Sequence, residues 1–261
     1  MDPEERRKAL RRRRTVRLTM VAGFFVTLAL LGATLAGSSD EAPPPAPAET
    51  EEPLPPAACG ADAPPEANPL TFDRPEEVLR RGVDYGAVIE TSCGAIEMDL
   101  LEESAPRTVN NFVFLAREGF FDGLRFNRVE RNAVIQGGAP GPDGTGGPGY
   151  TIREEYPSSP AVYTFGTVAM ANEGPGTTGS EFFIVVHDPP QVDPDPEEKG
   201  FEPAGFRPDY PVFGKVDLED EESLQTLKRI YTQETQVGND PAVATRPLVP
   251  VYIESIEITE A

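Results

Sequence analysis

The stretch PPPAPAETEEPLPPAACGADAPPEANP, starting at Pro43, is dense in proline and carboxylates and holds almost no large apolar side chains. It cannot bury enough surface to offset the entropy of ordering itself, so it is expected to run as a semi-extended linker out to Pro75 and beyond. The chain is thereby divided. The expected parts are a basic tail over 1–17, an apolar segment over 18–37, the linker over 38–82 and one folded domain over 83–261. The last has an ordinary length for a single hydrophobic core.

Before the linker, Leu18 to Ala36 runs as LTMVAGFFVTLALLGATLA without a charge. As a helix it would reach about 28 Å, close to the hydrocarbon thickness of a bilayer. Arginines crowd the residues before it, and the chain after it is acidic, which puts the N-terminus in the cytoplasm and the rest outside. Two readings stand: a single-pass anchor in the cell membrane, or a signal sequence cleaved within Gly32 to Gly37 so that the domain is secreted. The net charge of -21 argues against nucleic acid as a partner, because neutralising phosphates needs a basic face. Outside the cytoplasm thiols tend to pair, so Cys59 and Cys93 are expected to form a disulfide that pins the linker to the domain, two free thiols being the alternative. Two cysteines and one histidine do not readily make a metal site, and none is expected.

The folded part starts near Val83. Ala87 to Ser92 and Ala95 to Leu100 read as a hairpin, with Ile96, Met98 and Leu100 alternating against Glu97 and Asp99. Ser104-Ala105-Pro106 reads as the capped start of a helix that ends at Gly119, with Val109, Phe112, Val113 and Ala116 on its buried side. Short strands are expected over Leu124 to Val129, Val134 to Gln136, Val162 to Ala171, Glu181 to His187 and Pro211 to Val216. A second helix is centred on Leu224, Leu227 and Ile230, and a last strand covers Val249 to Ile258. Asp188 to Asp209 is a polar, proline-rich excursion. Many short strands with two helices and no βαβ rhythm suggest a mainly β domain, a closed antiparallel barrel.

Within it, Phe126 to Gly138 reads FNRVERNAVIQGG. An arginine among apolar neighbours, followed by a glutamine and two glycines, suits polarising an amide. It supplies no nucleophile and no acid/base pair. GPDGTGGPG, over Gly141 to Gly149, lacks the Gly-Lys-Ser/Thr ending of a phosphate cradle and reads as a loop. His187 has no serine or cysteine partner in view and reads as structural.

TVNNFVFLA (Thr108 to Ala116), FNRV…IQGG, GTGGPGY (Gly144 to Tyr150), MANEGPGTTGSEFFI (Met170 to Ile184) and VFGKV (Val212 to Val216) follow one another in an order that resembles a cyclophilin-type peptidyl-prolyl cis-trans isomerase. The resemblance covers Val83 to Thr259. It implies a closed eight-stranded barrel capped by two helices, with a proline-binding groove on its outer face. It also implies that Arg128 is catalytic and held by Gln136, and that Asn172 offers its backbone to the substrate. Phe126, Ala133, Val134, Ala171, Glu181, Phe183, Phe206 and Tyr210 would complete the substrate site. Ala133 stands where the family commonly has phenylalanine, Val134 where it has methionine, Glu181 where it has glutamine, and Tyr210 and Asn127 where it has histidine. Loss of the ring at Ala133 would remove part of the pocket floor.

The chemistry implied is a twist about the X-Pro bond, whose partial double-bond character sets a barrier of about 18–20 kcal/mol. Twisting makes the imide nitrogen pyramidal and localises its lone pair. A guanidinium aimed there stabilises the twisted state more than the planar one. A rate gain of about 10⁵ needs only about 7 kcal/mol, no proton moves and no cofactor is required. The partners implied are proline-containing segments of exported or envelope proteins, whose folding a monomeric domain would assist. The alternative is an adaptor of the same fold with little activity.

Overall fold

The structure is a computed structural model that describes residues 56–64, 67, 70–159, 162–187, 205–236 and 244–261. All but Ala261 belong to one compact unit, Leu54–Glu260. Its strands are β1 (Tyr85–Thr91), β2 (Gly94–Leu100), β3 (Arg128–Glu130), β4 (Val134–Gly137), β5 (Thr167–Met170), β6 (Phe182–Val185), β7 (Val212–Val216) and β8 (Ile253–Glu260). Two α-helices accompany them, α1 (Pro106–Arg117) and α2 (Glu221–Tyr231). The eight strands form one sheet in the order β3-β4-β6-β5-β7-β2-β1-β8, antiparallel at every pairing.

The expected closure of the barrel is only partial. No ladder joins β3 to β8, and the seam is held by the residues that lead into each strand. Arg125 bridges Tyr252, Phe126 N–H donates to Val251 O at 2.9 Å, and Gly123 N–H donates to Ile253 O at 2.8 Å. These contacts also explain why the strand expected from Leu124 shortens to Arg128–Glu130: the residues before Arg128 bond individually across the seam. Similarly, the strand expected over Val162 to Ala171 narrows to Thr167–Met170, because Tyr163 to Gly166 turn to meet β6 and β7.

Inside the sheet, aromatic rings meet. Phe182 lies 5.8 Å from both Phe112 of α1 and Phe121, and 6.3 Å from Phe126, edge-on in each case. Phe112 also packs on Phe213 of β7 at 4.8 Å. Helix α1 puts this apolar stripe inward, but its N-terminus is not capped by Ser104 as expected. Ala105 occupies the cap position, and the Glu155 carboxylate reaches over from a distant loop to accept from Thr108 N–H at 2.9 Å. A carboxylate there satisfies orphan amides and complements the helix dipole. Helix α2 is capped by Asp220, which accepts from Ser223 N–H at 2.8 Å. It covers the outer side of β2, where Ser223 Oγ takes the Glu97 N–H at 2.8 Å, so Glu97 is buried despite its alternating position.

The packed chain reaches back well before Val83. Ala57, Ala58 and Ala63 are buried, and the disulfide Cys59–Cys93 joins this strap to the β1–β2 turn. Further on, Phe72 packs edge-on against Phe114 at 5.0 Å, and Asn110 Oδ1 accepts from Val78 N–H at 2.8 Å. A proline-rich strap that builds no core of its own is thus docked on a core made elsewhere. Closing a loop between cysteines 34 residues apart contributes about 3–4 kcal/mol by restricting the unfolded chain. Among the described residues no helix is long and apolar enough to cross a membrane. The segment expected to do so, Leu18 to Ala36, lies outside them, as does Asp188 to Ala204 of the excursion.

Candidate active site

The sheet register assembles the site. Arg128 on β3 lies opposite Gln136 on β4, Gln136 opposite Phe183 on β6, and Phe183 opposite Ala169 on β5. Residues directly opposite share a face, so these four form a row on the outer side of the sheet. Their neighbours Val129, Ile135, Ile184 and Val168 point the other way and are buried in the core. Gly137 and Gly138 let β4 lie this close to its surroundings. A Cβ on Gly137 would come within 2.8 Å of Arg125 O, and Gly138 has φ +89° with Ser180 O at the same distance.

At the polar end of the row, Arg128 Nη1 donates to Gln136 Oε1 at 3.2 Å, and Nη2 pairs with Glu130. Each bond engages one terminal nitrogen of the fork, and the side chain, 43% exposed, keeps other N–H groups for the groove it lines. Glu130 was not among the expected site residues. Its spacing of two from Arg128 on a strand carried the signal.

The apolar end is an aromatic cage. Phe183 lies 5.7 Å from Phe206 and 5.3 Å from Tyr210, all edge-on. Behind them stands Tyr163, fully buried, which sequence reasoning missed because nothing local marks it as an aromatic partner of Phe206. Its hydroxyl donates to Tyr210 O at 2.7 Å and accepts from Tyr210 N–H at 3.1 Å, fixing the wall from behind. Burial pushes the Tyr163 phenol up to about 12, so it stays a neutral donor. Asn172 ties the same segment: its Nδ2 donates to Asp209 O at 2.9 Å and its Oδ1 accepts from Gly174 N–H at 3.1 Å. Its side chain is therefore spent on the loop.

The groove between the two ends has a volume of about 300 Å³. Val134 and Ala171 form its floor, and Asn127, Asp143, Glu173 and Thr245 its polar rim. Glu181 also faces it. Burial raises the Glu181 carboxyl above the usual carboxylate range, opposed by amides donated from Gln136 and Asn127 and by the charge of Arg128. Two expected site residues lie elsewhere. Phe126 is in the core against Phe182: a regular strand would carry it to Arg128's side, but it precedes β3, where its N–H bonds across the seam to Val251 O and its ring turns inward. Ala133 sits in the β3–β4 turn, where its N–H donates to Glu130 O and its carbonyl accepts from Val186, and it does not line the groove. The cage is built without it. His187 is also apart, with Nδ1 3.1 Å from Asn132 O.

Residues 87–258 match the family described as cyclophilin type peptidyl-prolyl cis-trans isomerase/CLD. A Helicobacter pylori (strain J99) peptidyl-prolyl cis-trans isomerase is 39% identical over 160 residues, 61% of this chain and 88% of its own. Peptidyl-prolyl cis-trans isomerase B of Bacillus subtilis is 53% identical over 121 residues, 46% of this chain and 75% of its own. Among solved structures, a Cryptosporidium parvum cyclophilin type isomerase superposes with a TM-score of 0.54 at 23% identity, covering 67% of this chain and 98% of that one, a likeness of fold. The register that lines up arginine, glutamine and an aromatic cage, and the match over most of the folded unit, place this chain in the cyclophilin family as a peptidyl-prolyl cis-trans isomerase.

Proposed function

We propose that the isomerisation runs through Arg128, with the proline ring held in the cage of Phe183, Phe206 and Tyr210. The observation that carries this is the row Arg128, Gln136, Phe183, which sets a guanidinium beside an apolar pocket in one groove. A proline seated against the rings would bring its imide nitrogen toward the N–H groups of Arg128. As the peptide bond twists, the lone pair localised on that nitrogen meets a donor already in place. Gln136 and Glu130 hold the fork, so little reorganisation is needed at the moment of the twist. The cage excludes water and strengthens the contact. A Cryptosporidium parvum relative was solved in the presence of the dipeptide Ala-Pro, which supports an X-Pro segment as the occupant here.

The substrates are proposed to be exported or envelope proteins, met by a monomeric domain that Leu18 to Ala36 anchors outside the cytoplasm. Three observations support this reading: the arginine-flanked apolar run, the disulfide, and the scarcity of large exposed apolar residues, which among the described residues are Tyr156, Leu248 and Val249. In cells producing the full chain, thiol labelling before and after reduction is expected to find Cys59 and Cys93 oxidised, in membranes rather than the soluble fraction. A pair that labels without reduction would sink the export reading. An oxidised pair in the culture medium would favour cleavage of the N-terminal segment.

A further inference from the structure

We propose that Glu181 is a positioning residue whose carboxylate fixes the Gln136 side chain in the one amide orientation that can hold Arg128. This rests on the reading of Arg128 as the catalyst. Gln136 could present either end of its amide to Arg128, but only the oxygen is useful, because a guanidinium has no acceptor. An ionised carboxylate is acceptor-only, so Glu181 draws the Gln136 NH₂ toward itself and turns the oxygen to Arg128 Nη1, 3.2 Å away.

Asn127 records the same demand. Its Nδ2 donates to Glu181 Oε1 at 3.1 Å, while its own Oδ1 is buried without a hydrogen-bond partner. An amide left with an unpaired buried oxygen gives up a favourable contact, and the opposite orientation would set oxygen against carboxylate. Gly144 completes the enclosure, since a Cβ there would lie 3.3 Å from Glu181 Oε1 and 2.4 Å from Asn127 Nδ2. Two amides therefore point their donors at one carboxylate, and one of them holds the catalytic cation from its far side.

Protonation removes the constraint. A neutral Glu181 carries a donor of its own, Gln136 can reverse, and its NH₂ would then face the guanidinium. Because burial raises the Glu181 carboxyl, this happens as pH falls through a value above the ordinary carboxylate range. The charged groups facing it are Arg128 from β3, which favours ionisation, and Glu173 from the loop after β5, which opposes it. Asp143, on the loop after β4, is held below its ordinary range by Thr145 and titrates at lower pH. The sign for stability is the reverse of that for activity. A carboxyl raised in the folded state binds its proton more tightly folded than unfolded, so its ionisation destabilises the fold at neutral pH. Glu181→Gln is therefore expected to keep or raise Tm.

The test is kcat and KM of the full chain on an Ala-Pro-containing peptide, by NMR exchange from pH 4 to 8, which needs no coupling protease. Wild type should lose kcat along a single acid limb with KM little changed. Glu181→Gln, which keeps an oxygen acceptor, should lose the limb while remaining more active at neutral pH than Glu181→Ala. The alanine variant should lose kcat by about 10-fold to 100-fold through misplacement of Arg128. Glu173→Gln should retain the limb. Superimposable pH profiles for wild type and Glu181→Gln, with wild type active, would overturn the role of Glu181 alone. A wild type no faster than Arg128→Ala at every pH would overturn the catalytic reading and this inference with it.

Discussion

Arg128→Ala is expected to lower kcat/KM for a prolyl peptide by about 10²–10³-fold, the usual cost of deleting one preorganised donor from a transition state. The loss should fall on kcat, because the cage proposed to hold proline is untouched and the planar ground state gains little from the guanidinium. Arg128→Lys should recover only part of it: an ammonium keeps the charge but cannot accept the two-sided hold of Gln136 and Glu130. The side chain is half-exposed, so neither change should unfold the domain. A single-turnover or NMR exchange measurement alongside far-UV circular dichroism reads both quantities. Undiminished kcat in a folded Arg128→Ala would remove Arg128 from the mechanism.

Phe182→Ala should cost about 3–5 kcal/mol of stability, measured as a shift in the denaturant midpoint. Phe182 is fully buried, and three rings from α1, the α1–β3 connection and the approach to β3 meet its faces. Gly138, which lies against the ring, has no side chain to move into the vacated space. One residue along, Phe183 points to the opposite side of β6, into the groove. Phe183→Ala should therefore raise KM more than it lowers the midpoint. If both variants lost stability equally, the division of β6 into a core face and a substrate face would be wrong.

That division was legible in the sequence, since EFFIVV offers one aromatic to each face and FNRV…IQGG brings Arg128 and Gln136 to the same side once the hairpin is registered. The helices were legible too, from the spacing of their apolar residues, although the cap at Asp220 was not. What was hidden depends on contacts distant along the chain. Glu155 caps α1 from a loop 47 residues away, and Tyr163 braces a wall whose other members follow 43 and 47 residues later. Nothing in a local pattern announces such pairs. The strap from Pro56 to Gly82 misled for a different physical reason. Its composition correctly denies it a core, but composition says nothing of docking, which here uses small alanines, the Phe72 ring, Leu70, Val78 and Leu79 packed on the core, backbone amides donated to Asn110, and the disulfide. Ala133 misled because a family position was carried over without the turn that houses it.

The seam beside β3 has a consequence for motion. Arg128 stands on a three-residue strand whose only ladder partner among the described residues is β4, while its other side is secured by single bonds such as Val129 N–H to Thr245 O at 2.7 Å. Strands held on one side open locally at lower free energy than those in the middle of a sheet. The amides of β3 should therefore exchange with solvent sooner than those of β5 or β7, and a bound prolyl peptide that engages Arg128 should slow them. In that picture the proposed catalytic cation rides on a three-residue edge strand of the sheet, and substrate itself would serve as an added clamp.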